Sequence, residues 1–158
     1  MIDHLQQHTI GFIHVVSALA ALLFGTWIIF TRKGTRRHRF LGRGYFWSML
    51  IVNITALAIY ELLQGFGPFH WLALISLVTL IAGYIPLMLK RPNWMRVHAY
   101  FMVGSYIGLV AATSAEIATR VPGWSFGTAA TVSSVLVNFI GIYLMLLLVP
   151  KTLFKYLR

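Results

Sequence analysis

Five apolar runs of about twenty residues follow one another along the chain, at residues 9–30, 45–63, 70–89, 97–117 and 129–149. A helix needs roughly 20 apolar residues to cross a hydrocarbon core ~30 Å thick. The runs therefore predict an all-α fold: an integral membrane helical bundle of five transmembrane helices, forming one domain over residues 1–158. The breaks carry turn chemistry, at Lys33-Gly34, Gln64-Gly65-Phe66-Gly67-Pro68, Arg91-Pro92-Asn93 and Val121-Pro122-Gly123. Pro150 is expected to end the last helix and Pro86 to kink the third. The first run is too long for the apolar core of a cleaved signal peptide and has no basic segment before it, so it is expected to persist in the mature protein. Composition agrees. The chain is 59% hydrophobic and only 10% charged, against about 25% charged in soluble domains, and its mean hydropathy is +0.79. It has no cysteine, which excludes disulfides and thiolate metal sites.

A net charge of +10 would suit nucleic acid or an anionic membrane. Its distribution decides between them. Six basic residues fall in the first connection (Arg32, Lys33, Arg36, Arg37, Arg39, Arg43), three in the third (Lys90, Arg91, Arg96) and three in the tail (Lys151, Lys155, Arg158). With five spans these segments share one side, and only Arg120 lies opposite. Short loops retain Lys and Arg on the cytoplasmic side, so the expectation is a multi-pass protein of the cell inner (plasma) membrane, N-terminus out and C-terminus in. Trp27, Trp47 and Trp94 then fall at the inner interface, Trp71 and Trp124 at the outer one. The basic stretch KGTRRHRFLGRGYFW (33–47) reads as a cytoplasmic loop attracted to anionic lipid, with no nucleic-acid partner.

The three acids, Asp3, Glu61 and Glu116, all map to the outer end. Ionisable groups in a membrane raise a functional hypothesis, but Glu116 and Arg120 stand i, i+4 and offer each other a local ion pair. The histidines carry more. His14 in the first helix and His70 opening the third lie at the outer level. His38, before the second helix, and His98, opening the fourth, lie at the inner level. If the helices pack in cyclic order, these make two facing pairs at two depths. A b-type haem takes an imidazole nitrogen from each side of the ring. The expected cofactor is haem b, with His14 and His70 as outer ligands and His38 and His98 as inner ones. Arg36, Arg37, Arg39 and Arg43 would neutralise the inner propionates. The plainer role for His38 is a loop histidine on headgroup phosphate.

Helical periodicity supplies the faces. His14, Ala18, Ala21 and Gly25 share one, and Tyr45, Met49, Asn53, Ala56 and Tyr60 another. His98, Ser105, Ala112 and Glu116 form a stripe expected to face the bundle interior, and Thr131, Ser134, Asn138 and Gly141 a fourth. Such stripes are more often packing and interhelical hydrogen bonds than a cofactor box. Gly104 and Gly108 form a GxxxG that favours close helix contact. A competing reading gathers His14, His70, Glu116 and Glu61, with His4 and His8 (themselves i, i+4), into an outward-facing zinc or copper site.

His14 with Gly25, KGTRRHRFLGRGYFWSM (33–49), GFGPFH (65–70) and HAYFMVGSYIG (98–108) together resemble a bacterial family of predicted multi-helix membrane proteins carrying a domain of unknown function. The resemblance spans about residues 11–120, leaving the fifth helix as an addition, and puts the four histidines on motif positions. It implies a fold group and no activity. The two-level pairing is also similar in arrangement to transmembrane b-type cytochromes of the ascorbate-reducible kind, in which alternate helices share a haem.

The leading expectation is a membrane haem protein passing electrons, as a component of a membrane oxidoreductase. The alternatives are an accessory subunit of a larger membrane complex or a homo-oligomer packing through small-residue faces, and the outward zinc or copper site. No GxSxG, P-loop, GxGxxG or HExxH is present.

Overall fold

The computed structural model describes residues 2–59, 68–90 and 92–157, with side chains described for 9–59, 69–90 and 92–154. Every element in them is α-helical: α1 (Ile2–Phe30), α2 (Arg36–Ala58), α3 (Pro68–Leu89), α4 (Trp94–Ala118) and α5 (Phe126–Leu157). Stretches long and apolar enough to cross a membrane lie in four of them, Thr9–Phe30, Phe69–Leu89, Trp94–Ala118 and Phe126–Phe154. α2 is the exception over its described residues, because Arg36, Arg37, Arg39 and Arg43 occupy its first two turns. Residues 60–63, which prolong its apolar run, lie outside the described residues, as does the Gln64–Gly67 break.

Two expectations about boundaries are corrected. The basic segment is no loop: helix α2 begins at Arg36. Thr35 caps it, its Oγ1 accepting from the His38 N–H at 3.2 Å, and arginine is a strong helix former. Pro150 does not end α5, which continues to Leu157. A proline removes one backbone bond and crowds one carbonyl, and apolar packing on both sides carries a helix through that defect. Val149 and Leu153, immediately around it, are buried. Pro86 likewise lies inside α3.

The chain divides into two compact units, Met1–Leu80 and Ile81–Arg158. In the first, α1 packs on α2. The turn between them follows from four consecutive residue types. Lys33 folds back so that its Nζ donates to the carbonyls of Ile28 and Ile29 at 2.7 and 3.0 Å, satisfying last-turn groups where a helix end attracts cations. Gly34 takes φ +77°, which glycine adopts without steric cost. Thr35 then caps α2, and Arg36 starts it. Further along, Gly44 lies against Phe24: a β-carbon there would stand 2.9 Å from the ring. In the second unit α4 packs on α5, and the two come close at Gly141, where a β-carbon would meet Ile107 Cγ2 at 2.6 Å. The C-terminal part of α3 crosses α4 at Gly83, where a β-carbon would lie 3.0 Å from Phe101 Cβ and Met102 Sδ.

Candidate functional site

Two of the four paired histidines are held by the same ring nitrogen. His14 comes off the buried stripe of α1, above Ser17, Ala21 and Gly25. Its Nδ1 is 2.9 Å from Thr55 Oγ1 on α2. The Thr55 hydroxyl has one proton, and that proton goes to its own helix: the Ile51 carbonyl is 2.7 Å away and the Val52 carbonyl 3.0 Å. The hydroxyl therefore accepts from His14, so Nδ1 carries the hydrogen. In the neutral ring Nε2 is then left with its lone pair.

His98 repeats this with a different partner. Its Nδ1 is 2.9 Å from the Gly83 carbonyl oxygen of α3. A carbonyl can only accept, so Nδ1 is again the donor and Nε2 the free lone pair. Gly83 lies three residues before Pro86, whose missing N–H leaves the adjacent Ala82 carbonyl without its helical donor. Gly83 has no side chain, so α4 can approach. His98 stands a full turn inside α4, deeper than its expected position at the helix start.

His70 is in the third residue of α3 and only 3% exposed. It belongs to the same unit as His14. His38 lies on α2 itself, in the first turn, and not in a segment before it. It heads the inward face that continues through Leu41, Tyr45, Met49 and Asn53. Asn53 is 2% exposed, and its Nδ2 makes no hydrogen bond among the described residues. His38 and His98 fall in different units. Arg36, Arg37, Arg39 and Arg43 are exposed on the opposite side of α2 from that face, and Arg43 Nε reaches only the Arg39 carbonyl, at 3.4 Å.

The other expected stripes are partly corrected. Ser105 is buried, but Ala112 and Glu116 are exposed, so the polar stripe of α4 turns outward in its second half. Glu116 is 65% exposed and paired with Arg120. A glutamate at the last turn of a helix is disfavoured by the dipole there, and the i+4 arginine offsets that locally. On α5, Thr131 is exposed, and Asn138 donates to the Ser134 carbonyl of its own helix at 2.9 Å, not to a neighbouring helix. The GxxxG of α4 is open: a β-carbon on Gly104 or Gly108 would meet nothing within 4 Å. The outer metal set is divided. Glu61 and the side chains of His4 and His8 lie outside the described residues, and no group of three or more His, Asp or Glu converges among the described ones.

Thr55 and Gly83 escaped the sequence reading. Each is remote from its histidine in sequence, by 41 and 15 residues, so periodicity within one helix cannot find them. A usable signal existed for Gly83: a glycine inside an apolar helix marks a place where a neighbouring helix can come close.

Comparison with curated proteins and with solved structures gives no match. A family described as predicted membrane protein, DUF2306, matches residues 11–153. That range takes in α5, so the fifth helix is part of the family pattern and not an addition to it. Apolar helices of this length and a match over nearly the whole chain make this a membrane protein, and the chain belongs to the DUF2306 family.

Proposed function

We propose that the protein is a membrane haem-binding protein for electron transfer, in which His14 and His70 hold a b-type haem within the first unit. One observation supports this above the others: His14 is fixed through Nδ1 by a hydroxyl whose own proton is committed elsewhere, which puts the ring hydrogen on Nδ1 and leaves Nε2 in the unprotonated form that ligation requires. Ligating histidines are oriented in this way, the second nitrogen held by an oxygen acceptor. The buried Asn53 amide is a donor without a partner among the described residues. Leaving such a group unpaired costs about 1–3 kcal/mol, which an acceptor on a bound group would remove. A bis-histidine haem supplies a one-electron couple. The chain's part is to orient the imidazoles and keep water from them. His98, held through Nδ1 in the second unit, has the same chemistry. Its pairing with His38, and the use of Arg36, Arg37, Arg39 and Arg43 on propionates, rest on sequence order alone.

The test is spectroscopic. Protein purified in detergent from haem-replete cells should show a Soret band that shifts on dithionite reduction and a positive pyridine haemochrome assay. His14→Ala or His70→Ala should remove one spectral component. A colourless preparation, or spectra unchanged from the parent in both variants, would defeat the reading. Stoichiometric zinc or copper in that preparation would favour the outward metal site with His4, His8, Glu61 and Glu116.

A second reading, a subunit of a larger complex or a homo-oligomer, is favoured by the open Gly104/Gly108 face. Membrane helices associate through such small-residue faces. We place the chain in the plasma membrane with its basic ends inside. Because the chain has no cysteine, single replacements such as Arg39→Cys and Ser125→Cys report sidedness by impermeant-thiol labelling. Labelling of intact cells at residue 39 would reverse the orientation.

A further inference from the structure

The α4–α5 hairpin brings the start of α4 beside the end of α5. There the structure has a groove of about 310 Å³, lined by Arg96, Tyr100, Pro150, Leu153 and Phe154. Its two sides differ in chemistry. α4 contributes a guanidinium and, one turn on, a phenol. α5 contributes a proline ring, a leucine and a phenylalanine, and Phe154 is 60% exposed. Arg96 is exposed and makes no side-chain hydrogen bond or ion pair among the described residues. The unit offers it no local counter-charge. Its single acid, Glu116, is 20 residues further along α4, about 30 Å at 1.5 Å per residue, and already holds Arg120. Lys90 and Lys151 are near Arg96 and Pro150 in sequence, so this end is rich in basic residues.

We propose that this groove is a binding site for an anionic phospholipid. The phosphodiester accepts a forked pair of hydrogen bonds from Arg96 and one from the Tyr100 hydroxyl, and an acyl chain lies along Pro150, Leu153 and Phe154. Arginine matches phosphate bidentately, and basic pockets at helix ends on the cytoplasmic side take lipid headgroups. The apolar wall is what selects a lipid over a free phosphate ion. That wall continues the apolar stretch of α5, Phe126–Phe154, so a chain seated there stays in hydrocarbon.

Native mass spectrometry of the full, delipidated chain decides it, with dioleoyl-phosphatidylglycerol, dioleoyl-phosphatidylcholine and inorganic phosphate as probes. The expected result is one tightly retained phosphatidylglycerol, with phosphatidylcholine bound about tenfold more weakly, because it offers the same phosphodiester but brings a quaternary ammonium against the Arg96 guanidinium. Arg96→Gln should abolish the preference, and Tyr100→Phe should weaken retention of both lipids a few-fold. Lys151→Gln, outside the groove lining, should leave the preference within twofold. Tyr100→Phe removes one oxygen only, so it reports even where Arg96→Gln fails to fold. Equal retention of the two lipids overturns the proposal, as does an unchanged preference in Arg96→Gln or unchanged retention in Tyr100→Phe. Inorganic phosphate displacing phosphatidylglycerol would show the apolar wall to be idle and overturn it too.

Discussion

The two hairpins, α1–α2 and α4–α5, solve one packing problem by different means. Both let a helix approach at a bare glycine, Gly44 against Phe24 and Gly141 against Ile107. The first has in addition a polar tie between its helices, His14 to Thr55. In the second, Thr113, Ser114, Ser133 and Asn138 return their hydrogen bonds to carbonyls of their own helices. In a membrane nothing drives helices together by hydrophobicity, so shape and interhelical bonds must do it. Hydroxyls that bond their own backbone contribute little to that. The first hairpin therefore combines shape with a directional contact, and in the second these four side chains add none. A directional contact on a histidine also fixes which nitrogen it presents, so the tie and the proposed chemistry coincide in the first unit.

The comparison breaks most sharply at the glycines. Gly141→Ala places a methyl 2.6 Å from Ile107 Cγ2 and 3.3 Å from its Cβ. A β-branched side chain cannot swing away, so overpacking of about 2–3 kcal/mol is expected, read as a lower melting temperature in detergent. Adding Ile107→Ala should recover most of it. Gly44→Ala meets the far end of the Phe24 ring at 2.9 Å, which can rotate, so about 1 kcal/mol is expected there. Equal losses at the two positions would mean that the hairpins are not built differently.

Next comes the tie. Thr55→Val keeps the shape and removes the acceptor of the His14 Nδ1 hydrogen, leaving a half-buried donor without it at about 1 kcal/mol. Thr55→Ser should lose much less. Urea or thermal unfolding separates the two, and in haem-loaded protein Thr55→Val should also alter the spectral component assigned to His14.

A smaller effect of opposite sign is expected at Gly108. Alanine there meets nothing within 4 Å and is a better helix former by ~1 kcal/mol, so the isolated chain should be slightly stabilised. If Gly108→Ala instead changes the mass measured by light scattering, that face docks a partner.

The smallest concerns the turn of the first hairpin. Burial pushes the Lys33 ammonium below the ordinary lysine value of 10.5. The folded state then gives up its proton at a lower pH than the unfolded chain. Stability contributed by this residue should rise as pH climbs through the window just under 10.5 and be flat at neutral pH. Lys33→Gln should remove that alkaline rise in a pH series of melting curves.

Much of this was legible before any coordinates. The helical class followed from the apolar runs. Of the α1 face, Ala21 and Gly25 are buried and His14 and Ala18 half-buried; of the α2 face, Tyr45, Met49 and Asn53 are buried, Ala56 is half-buried and Tyr60 lies outside the described residues. Those features are periodic along a single helix, and period is what a sequence displays. The start of α2 was hidden because charge there suggests a loop, whereas the N-cap at Thr35 and one inward face suffice to build a helix whose arginines point away. Pro150 misled for a related reason: a proline's cost is local, and the packing of Val149 and Leu153 that outweighs it depends on another helix. The partners of His14 and His98 were invisible because each bond joins two helices, and sequence separation says nothing about which turns of two helices meet.

The uninterrupted course of α5 through Pro150 has a consequence for the surrounding bilayer. Its apolar stretch, Phe126–Phe154, is 29 residues, about 43 Å at 1.5 Å per residue, against a hydrocarbon thickness of ~30 Å. A helix that overshoots by some 13 Å must lean well beyond the average tilt of about 20°, or draw thicker lipid around itself. Such mismatch gives the protein a preference among membranes of different thickness, set by one helix that a proline fails to stop.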